Sequence, residues 1–322
     1  MLKLNRMQNK NEIHIALAHN DNYTEYAVVA ITSVCEVTRD ENLVFHILDG
    51  GLSENSKRSI IQIAQSYKNA KIEFNKIDDT ILKKYKLSGY PERTFWSVLV
   101  PQVYEISKLD RVIYLEADIV AKESLKPLWD MDFEDNYVLA VEDAKSKKYS
   151  RKYLDKKSKY FNTGLMVINC KKWNEENISE RAVYMALKNS KKQTRYDKIA
   201  LNKLFIQKVK YLDLRWNLQY SPFNIWAEYE NLEEYKNAIK NPAIIHYTGA
   251  YKPWLRGFGC YNPKQEDYLR AHKLTEFRLD SYAAWQREDR ALKHFGFMHL
   301  FVRHPLFFVN KKYKQMQKIN LE

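Results

Sequence analysis

The chain has 322 residues, 45% apolar and 29% charged, with a formal net charge of +13. That is the balance of an ordinary globular protein with one large core or two moderate ones, attracted to something anionic such as nucleic acid, a membrane surface or a phosphorylated substrate, unless the charge serves solubility alone. The cysteines Cys35, Cys170 and Cys260 are too few and too scattered for a disulfide framework or a thiolate metal site, and no run reaches the roughly 18 apolar residues of a membrane span.

The N-terminal stretch MLKLNRMQNKNEIHIALAHN lacks the apolar core of a secretory signal, so a reducing, cytoplasmic setting is expected. Ile13 to Ala18 reads as a short strand ending in the polar group His19-Asn-Asp-Asn22, and a helix follows from about Tyr26 to Thr38. Leu43 to Leu48 is a second strand closed by Asp49-Gly-Gly51, and Ser53 is placed to cap a helix to about Tyr67. Lys71 to Phe74 is a third strand. Residues 94 to 108 read as helix despite Pro101, and RVIYLEADIV, residues 111 to 120, reads as one further strand. Such strand–helix alternation predicts a mainly parallel sheet flanked by helices.

Tyr137 to Val141 and Tyr160 to Asn169 read as strands, separated by a polar run from Lys145 to Lys152 that reads as loop. Helices are expected over 178–190 and 196–207, and a late strand over Pro242 to Tyr247, ended by Thr248-Gly249. From Ala291 onward six Lys or Arg face one acid, Glu322, with Phe295, Phe297, Leu300, Phe301, Leu306, Phe307 and Phe308 interleaved. Basic residues among aromatics suit an anionic membrane interface, each contributing about 1 kcal/mol; a packed terminal helix is the alternative.

Glu116 and Asp118 are the anomaly in RVIYLEADIV. Read as extended chain, positions i and i+2 aim both carboxylates at one spot. Like charges so placed share a proton, pair with a base or bind a cation. Hard oxygens at the C-terminal end of a parallel strand suit Mg²⁺ or Mn²⁺. His246, also at a strand end, adds a nitrogen donor that favours Mn²⁺, and the Gly249 turn with Lys252 suits a diphosphate.

The blocks NDNY (Asn20 to Tyr23), LDGGLSENSK, RVIYLEAD, YFNTGLMVINCKKW, YDKIALN and HYTGAYKPW fall in order between about residues 12 and 255. Together they resemble glycosyltransferase family 8. The tail is similar to those of bacterial members that extend lipopolysaccharide or lipooligosaccharide. The resemblance implies an α/β GT-A fold over residues 1–255, with 256–322 as a helical, basic and aromatic extension on the membrane or acceptor side. It also implies Mn²⁺ (or Mg²⁺), a UDP-sugar donor and retention of configuration. Residue by residue, it implies that Ala18, Asn20, Asn22 and Tyr23 hold the uracil. Glu116, Asp118 and His246 would ligate the metal, with Ala117 between the acids on the nucleotide. Gly249 and Lys252 would contact the phosphates. Asp143, Asn162 and Thr163 would line the donor-sugar and acceptor side, with Asp197 and Lys198 on the far wall.

Four positions depart from the family pattern. Glu116 stands where an Asp usually begins the acid pair, and Asn20 where an Asp usually meets the uracil. Ser97 replaces a basic residue, for which Arg93 is a candidate substitute. Asp197-Lys198-Ile199 replaces Asp-Gln-Asp, putting a cation where a sugar would develop positive charge. Lys198 could pair with Asp197 or a phosphate, turn away, or favour an anionic donor. The leading expectation is a Mn-dependent hexosyltransferase forming an α-linkage on a saccharide or glycolipid acceptor, at the inner face of the cytoplasmic membrane. Because neither Lys198 nor a Gln there supplies a nucleophilic carboxylate, a same-face course is expected rather than double displacement. The alternative is a catalytically silent fold serving as scaffold subunit. Nucleic acid is not an expected partner, since no recognised module motif is present.

Overall fold

The computed structural model describes residues 12–76, 80–85, 95–188, 196–219, 229, 231–249, 252–254, 262 and 264–277. The expectations for Arg93, Cys260 and the tail beyond 277 lie outside the described residues.

Strand β1 (Glu12–His19) is buried along nearly its whole length, as an apolar run of this kind requires. A 3₁₀ turn, Asp21–Tyr23, leads into α1 (Thr24–Val37), which buries Ala, Val and Ile on all sides and so sits inside the protein. Among its buried hydroxyls, Ser33 donates to the Ala30 carbonyl and accepts from the Ala121 amide. After β2 (Asn42–Asp49), Ser53 accepts from the Ser56 amide and caps α2 (Glu54–Ser66), whose Ile60 and Ile63 face the core. Strand β3 (Ala70–Lys76) and helix α3 (Thr80–Lys84) follow.

The expected helix over 94–108 is broken into α4 (Trp96–Leu99), a 3₁₀ turn at Val100–Gln102, and α5 (Tyr104–Ser107). Pro101 has no amide to continue the ladder, and Val103 is extended where the two helices meet. RVIYLEADIV is likewise not one strand. It forms β4 (Arg111–Leu115) and β5 (Ile119–Ala121), which belong to different sheets, so Glu116 and Asp118 occupy the bend between them.

Helix α6 (Lys126–Asp130) and β6 (Val138–Glu142) precede α7 (Ser146–Tyr153), which occupies the run read as loop. Its anchors are polar: Ser146 and Ser150, one turn apart, are its buried residues, and the Ser146 hydroxyl accepts from the Tyr160 amide. Next come β7 (Phe161–Asn169), α8 (Cys170–Glu175), α9 (Ile178–Lys188), α10 (Tyr196–Leu204) and β8 (Val209–Leu212). A 3₁₀ turn at Leu214–Asn217, β9 (Leu218–Gln219), α11 (Leu232–Lys240), β10 (Ile244–His246) and α12 (Gln265–His272) complete the described elements.

The main sheet has the order β3-β2-β1-β4-β7-β6-β8, parallel throughout except for β7, which runs against both neighbours. A small sheet, β5-β10-β9, sits beside it. One apolar layer joins Ile15, Leu17, Ile31 and Ile113; the other joins Val112, Met166, Trp173 and Phe205 on the opposite face. Each fully buried Leu or Ile stabilises by about 1.5–3 kcal/mol. A third cluster packs Tyr268 and Ala271 of α12 against Tyr26 and Trp254, whose rings stack 3.7 Å apart. No described helix is long and apolar enough to cross a membrane.

Candidate active site

Strand register brings the site together. Leu17 of β1 pairs in parallel with Leu115 of β4, so the next residues of both, Ala18 and Glu116, leave the sheet side by side. His246 of β10 pairs antiparallel with Ile119 of β5, and the Tyr247 amide donates to the Asp118 carbonyl, which sets the imidazole beside Asp118. The His246 Nε2 lies 3.0 Å from Glu116 and 3.3 Å from Asp118. Each of the three offers one donor atom within 4.8 Å of the others. Two carboxylates and an imidazole are a donor set that could hold a divalent ion.

Lysines flank the cluster on both sides. Lys198 Nζ is 3.1 Å from Glu116 Oε1, and Lys252 Nζ donates to Asp118 Oδ2 and to the Tyr247 carbonyl. Burial opposes ionisation of both acids, but Lys198 and His246 hold Glu116 down at about 2, and Lys252 and His246 hold Asp118 well below the usual carboxylate range. Burial also works against charge on His246, yet Asp118 and Glu116 outweigh it and push the imidazole up to about 9. Of the options open for Lys198, the structure shows a pairing not foreseen, with Glu116. Burial raises the Asp197 carboxyl although Lys198 lies beside it, and Ser97 Oγ donates to Asp197 Oδ2 at 3.3 Å.

Behind His246 runs a chain of amides that sequence reasoning did not find. His246 Nδ1 is 2.9 Å from Asn217 Oδ1, and Asn217 Nδ2 donates to Asn162 Oδ1 at 3.2 Å. Asn162 donates in turn to Asp143 at 2.9 Å and to Gln219 at 3.1 Å, and its Oδ1 also accepts from the Gly164 amide. Asp143 and Asn162 are therefore buried partners rather than a loop acid and a strand terminator. Asp143 also accepts from the Lys145 amide, which turns the chain into α7. Asn202 accepts from Phe161 N and donates to the Phe161 and Lys198 carbonyls, tying α10 to β7. Only Asn162 and Asn202 lay in conspicuous blocks; Asn217 and Gln219 carried no local signal.

A cavity of about 290 Å³ opens beside the acids, walled by Ala18, His19, Asn20, Tyr23, Trp96, Tyr114, Glu116, Ala117 and Asp118. Tyr23 is 43% exposed, so one face of its ring is free to be covered. Asn20 Oδ1 and Thr163 Oγ1 are buried without a hydrogen-bond partner among the described residues. Asn22, in the 3₁₀ turn, is exposed and lies outside that wall. Gly249 has φ +79°, a turn conformation that suits glycine, three residues before Lys252.

This sheet order, with the acid cluster beyond the ends of β1 and β4, defines a glycosyltransferase of the GT-A fold. The chain overlays on a galactosyltransferase, LgtC, solved with donor and acceptor sugar analogues, at TM-score 0.68 and 26% identity, covering 83% of this chain and 97% of that one. The apo bifunctional glycosyltransferase WbbM shares the fold at TM-score 0.69 and 21% identity, over 87% of this chain and 52% of that one.

The chain belongs to glycosyl transferase family 8, whose family model matches residues 14–257. A lipopolysaccharide 1,2-glucosyltransferase of Escherichia coli is 30% identical over 82% of this chain and 79% of that protein. General stress protein A of Bacillus subtilis is 25% identical over 86% of this chain and 96% of that protein.

Proposed function

We propose that this glycosyltransferase moves a hexose from a UDP-sugar to a saccharide or glycolipid acceptor with retention, using Mn²⁺ held by Glu116, Asp118 and His246. The observation that carries the reading is the convergence of those three donor atoms, two of them from Glu116 and Asp118, which line one cavity together with Asn20 and Tyr23. The bound ion would supply Lewis-acid stabilisation of charge developing on the diphosphate. Tyr23 would stack on uracil, with Asn20 Oδ1 accepting its N3–H and Ala18, Asn22 and Ala117 bounding the nucleoside. Lys252 would leave Asp118 for a phosphate oxygen, and Gly249 would let the backbone approach the other. Asp143, Asn162, Thr163 and Asp197 would hold the sugar, with Lys198 at its edge.

In the proposed step the bond from the anomeric carbon to the β-phosphate oxygen breaks as the acceptor oxygen bonds the same face. The departing phosphate takes the acceptor proton. Asp143 and Asp197 are already engaged, by Asn162 and by Ser97, which supports positioning roles rather than nucleophilic attack. The names of the lipopolysaccharide-transferase relatives support a surface-glycan acceptor. The basic, aromatic sequence from residue 291 supports attachment to the inner face of an anionic membrane; deleting it should weaken binding to anionic vesicles.

The test is UDP release on incubation with Mn²⁺ and each UDP-sugar in turn, with acceptor glycans added. Folded protein that neither hydrolyses nor transfers from any donor defeats the enzymatic reading. The Lys198–Glu116 pair supports one rival, a silent scaffold in which a lysine has taken the place of a metal charge. Calorimetry separates the two, because the scaffold would not bind UDP with Mn²⁺.

A further inference from the structure

We propose that Asp21 is a positioning residue of the donor site: bonded to the start of α2, it holds the 3₁₀ turn that presents Asn20 and Tyr23 to the nucleotide. The inference rests on the UDP-donor reading above and concerns a residue outside the cavity wall.

The turn has little of its own to fix it. Asp21–Tyr23 is a single 3₁₀ turn with no buried residue and no side-chain cap from Asn20, closed by the Tyr23 amide donating to the Asn20 carbonyl at 2.8 Å. Such short turns are weak when isolated. Asn20 and Tyr23 line the cavity beside the acids, whereas Asp21 and Asn22 between them do not. The Tyr23 ring meets the edge of Tyr26, with centroids 5.5 Å apart, and is otherwise largely exposed.

Helix α2 supplies the missing anchor. Asp21 Oδ1 accepts from the Ser53 amide at 2.9 Å and from the Ser56 hydroxyl at 2.6 Å. Just past the turn, the Thr24 hydroxyl donates to Ser56 Oγ at 2.9 Å, so both flanks of the turn converge on one buried serine. A helix capped by serine commonly takes a glutamate three residues later, whose carboxylate reaches back to the amide of the cap. Here that position is Ser56, which has no carboxylate to offer. Asp21, 32 residues before Ser53, provides it from another segment. One oxygen thus completes the cap of α2 and ties down the turn. Ser56 and the Ser53 amide hold the Asp21 carboxyl below its usual range, and the positive end of the helix favours the anion. An aromatic ring and an amide carried on a loose turn would have to be ordered when the base binds, which subtracts from affinity; a turn held in advance avoids that cost.

The experiment is calorimetric titration of the full chain with UDP in the presence of Mn²⁺. Asp21→Ala should bind UDP roughly tenfold more weakly than the parent and bind Mn²⁺ alone equally well. In a Tyr23→Ala background the same substitution should cost no more than about twofold, because the ring it positions is gone. Asp21→Asn, which keeps one oxygen acceptor, should recover part of the affinity. Equal UDP affinity in parent and Asp21→Ala overturns the inference and leaves the donor reading intact; a lowered urea midpoint in that variant would then assign Asp21 to capping α2 alone. A full tenfold loss that persists in Tyr23→Ala overturns it as well, since the damage would not run through the turn. No binding of UDP by the unaltered chain overturns the donor reading and this role with it.

Discussion

A methyl group on Gly164 would lie 2.0 Å from Cε1 of His246 and 2.6 Å from its Nδ1. The imidazole therefore rests directly on the backbone of β7, and only glycine admits it. His246 is 1% exposed and is also held at Nδ1 by Asn217, so the ring cannot swing aside without leaving the acids. Gly164→Ala should displace the ring, destabilise the protein by about 1–3 kcal/mol through overpacking, and weaken Mn²⁺ binding at least tenfold. Electron paramagnetic resonance of free Mn²⁺ reads the affinity; a Gly164→Ala protein that binds Mn²⁺ like the parent would show that His246 is not a ligand.

Asn217 sets which nitrogen of His246 faces the acids. With Nδ1–H donating to Asn217 Oδ1, Nε2 points at Glu116 and Asp118. Outer partners of this kind typically hold 10–100-fold in metal affinity. Asn217→Ala should lose Mn²⁺ affinity within that range while leaving the β5–β10 pairing and the far-ultraviolet circular dichroism unchanged. Full retention of affinity would assign Asn217 a packing role only.

Lys198 and a metal ion would draw on the same carboxylate. The ammonium sits 3.1 Å from Glu116 Oε1, with both side chains 27% exposed, where an ion pair contributes on the order of 1 kcal/mol. Lys198→Gln removes that competitor and its repulsion of an incoming cation. Mn²⁺ alone, without nucleotide, should bind this variant roughly fivefold more tightly. Unchanged or weaker binding would mean that Lys198 does not compete with the metal for Glu116.

How far these relationships could be read in advance depends on the range of the contacts. The alternation of apolar strands and helices carried the parallel half-sheet, because each such element announces itself within one window. The bend at Glu116-Ala-Asp118 did not, since no Gly or Pro marks it and apolar residues lie on both sides. Strands β5 and β9 have three and two residues, too few for a period to register, whereas β10 lies within the apolar run read as a strand over Pro242 to Tyr247. Helix α7 hides because its buried face is two serines. In the site, acid spacing and block resemblance pointed to Glu116, Asp118 and His246. Asn217 meets its histidine 29 residues away from a segment with no pattern of its own, and the Gly164–His246 contact exists only once β7 and β10 are in place. His19 looked like the polar end of a strand; that neither ring nitrogen has a hydrogen-bond partner among the described residues is visible only in three dimensions.

Stability should depend on pH through a histidine pair that is not bonded to the acid cluster. His14 Nδ1 and His46 Nε2 are 3.0 Å apart, bridging β1 and β2, and His46 Nδ1 lies 3.3 Å from Glu73 on β3. Glu12 lies 3.9 Å from the far side of His14, the Trp129 ring packs near it, and Lys71 pairs with Glu73. Burial lowers both imidazoles, His46 to about 4. In the unfolded chain a histidine titrates near 6.5, so between those values the unfolded state binds more protons and stability falls as pH falls. Glu73 acts in the same direction lower down: burial opposes its ionisation, but Lys71 and His46 hold it below its usual value, a contribution lost as the carboxylate protonates. His246 works oppositely in metal-free protein. Its raised value, about 9, contributes stability that is complete below 6.5 and lost as pH rises through 9. Urea unfolding of the metal-free chain should therefore show a maximum near pH 6.5 and a loss on the order of 2 kcal/mol by pH 5. Buried His19, also lowered to about 4, acts in the same direction, so His46→Gln should make the acid limb shallower without abolishing it and leave the alkaline one; an acid limb of undiminished slope in that variant would place the titrating group elsewhere.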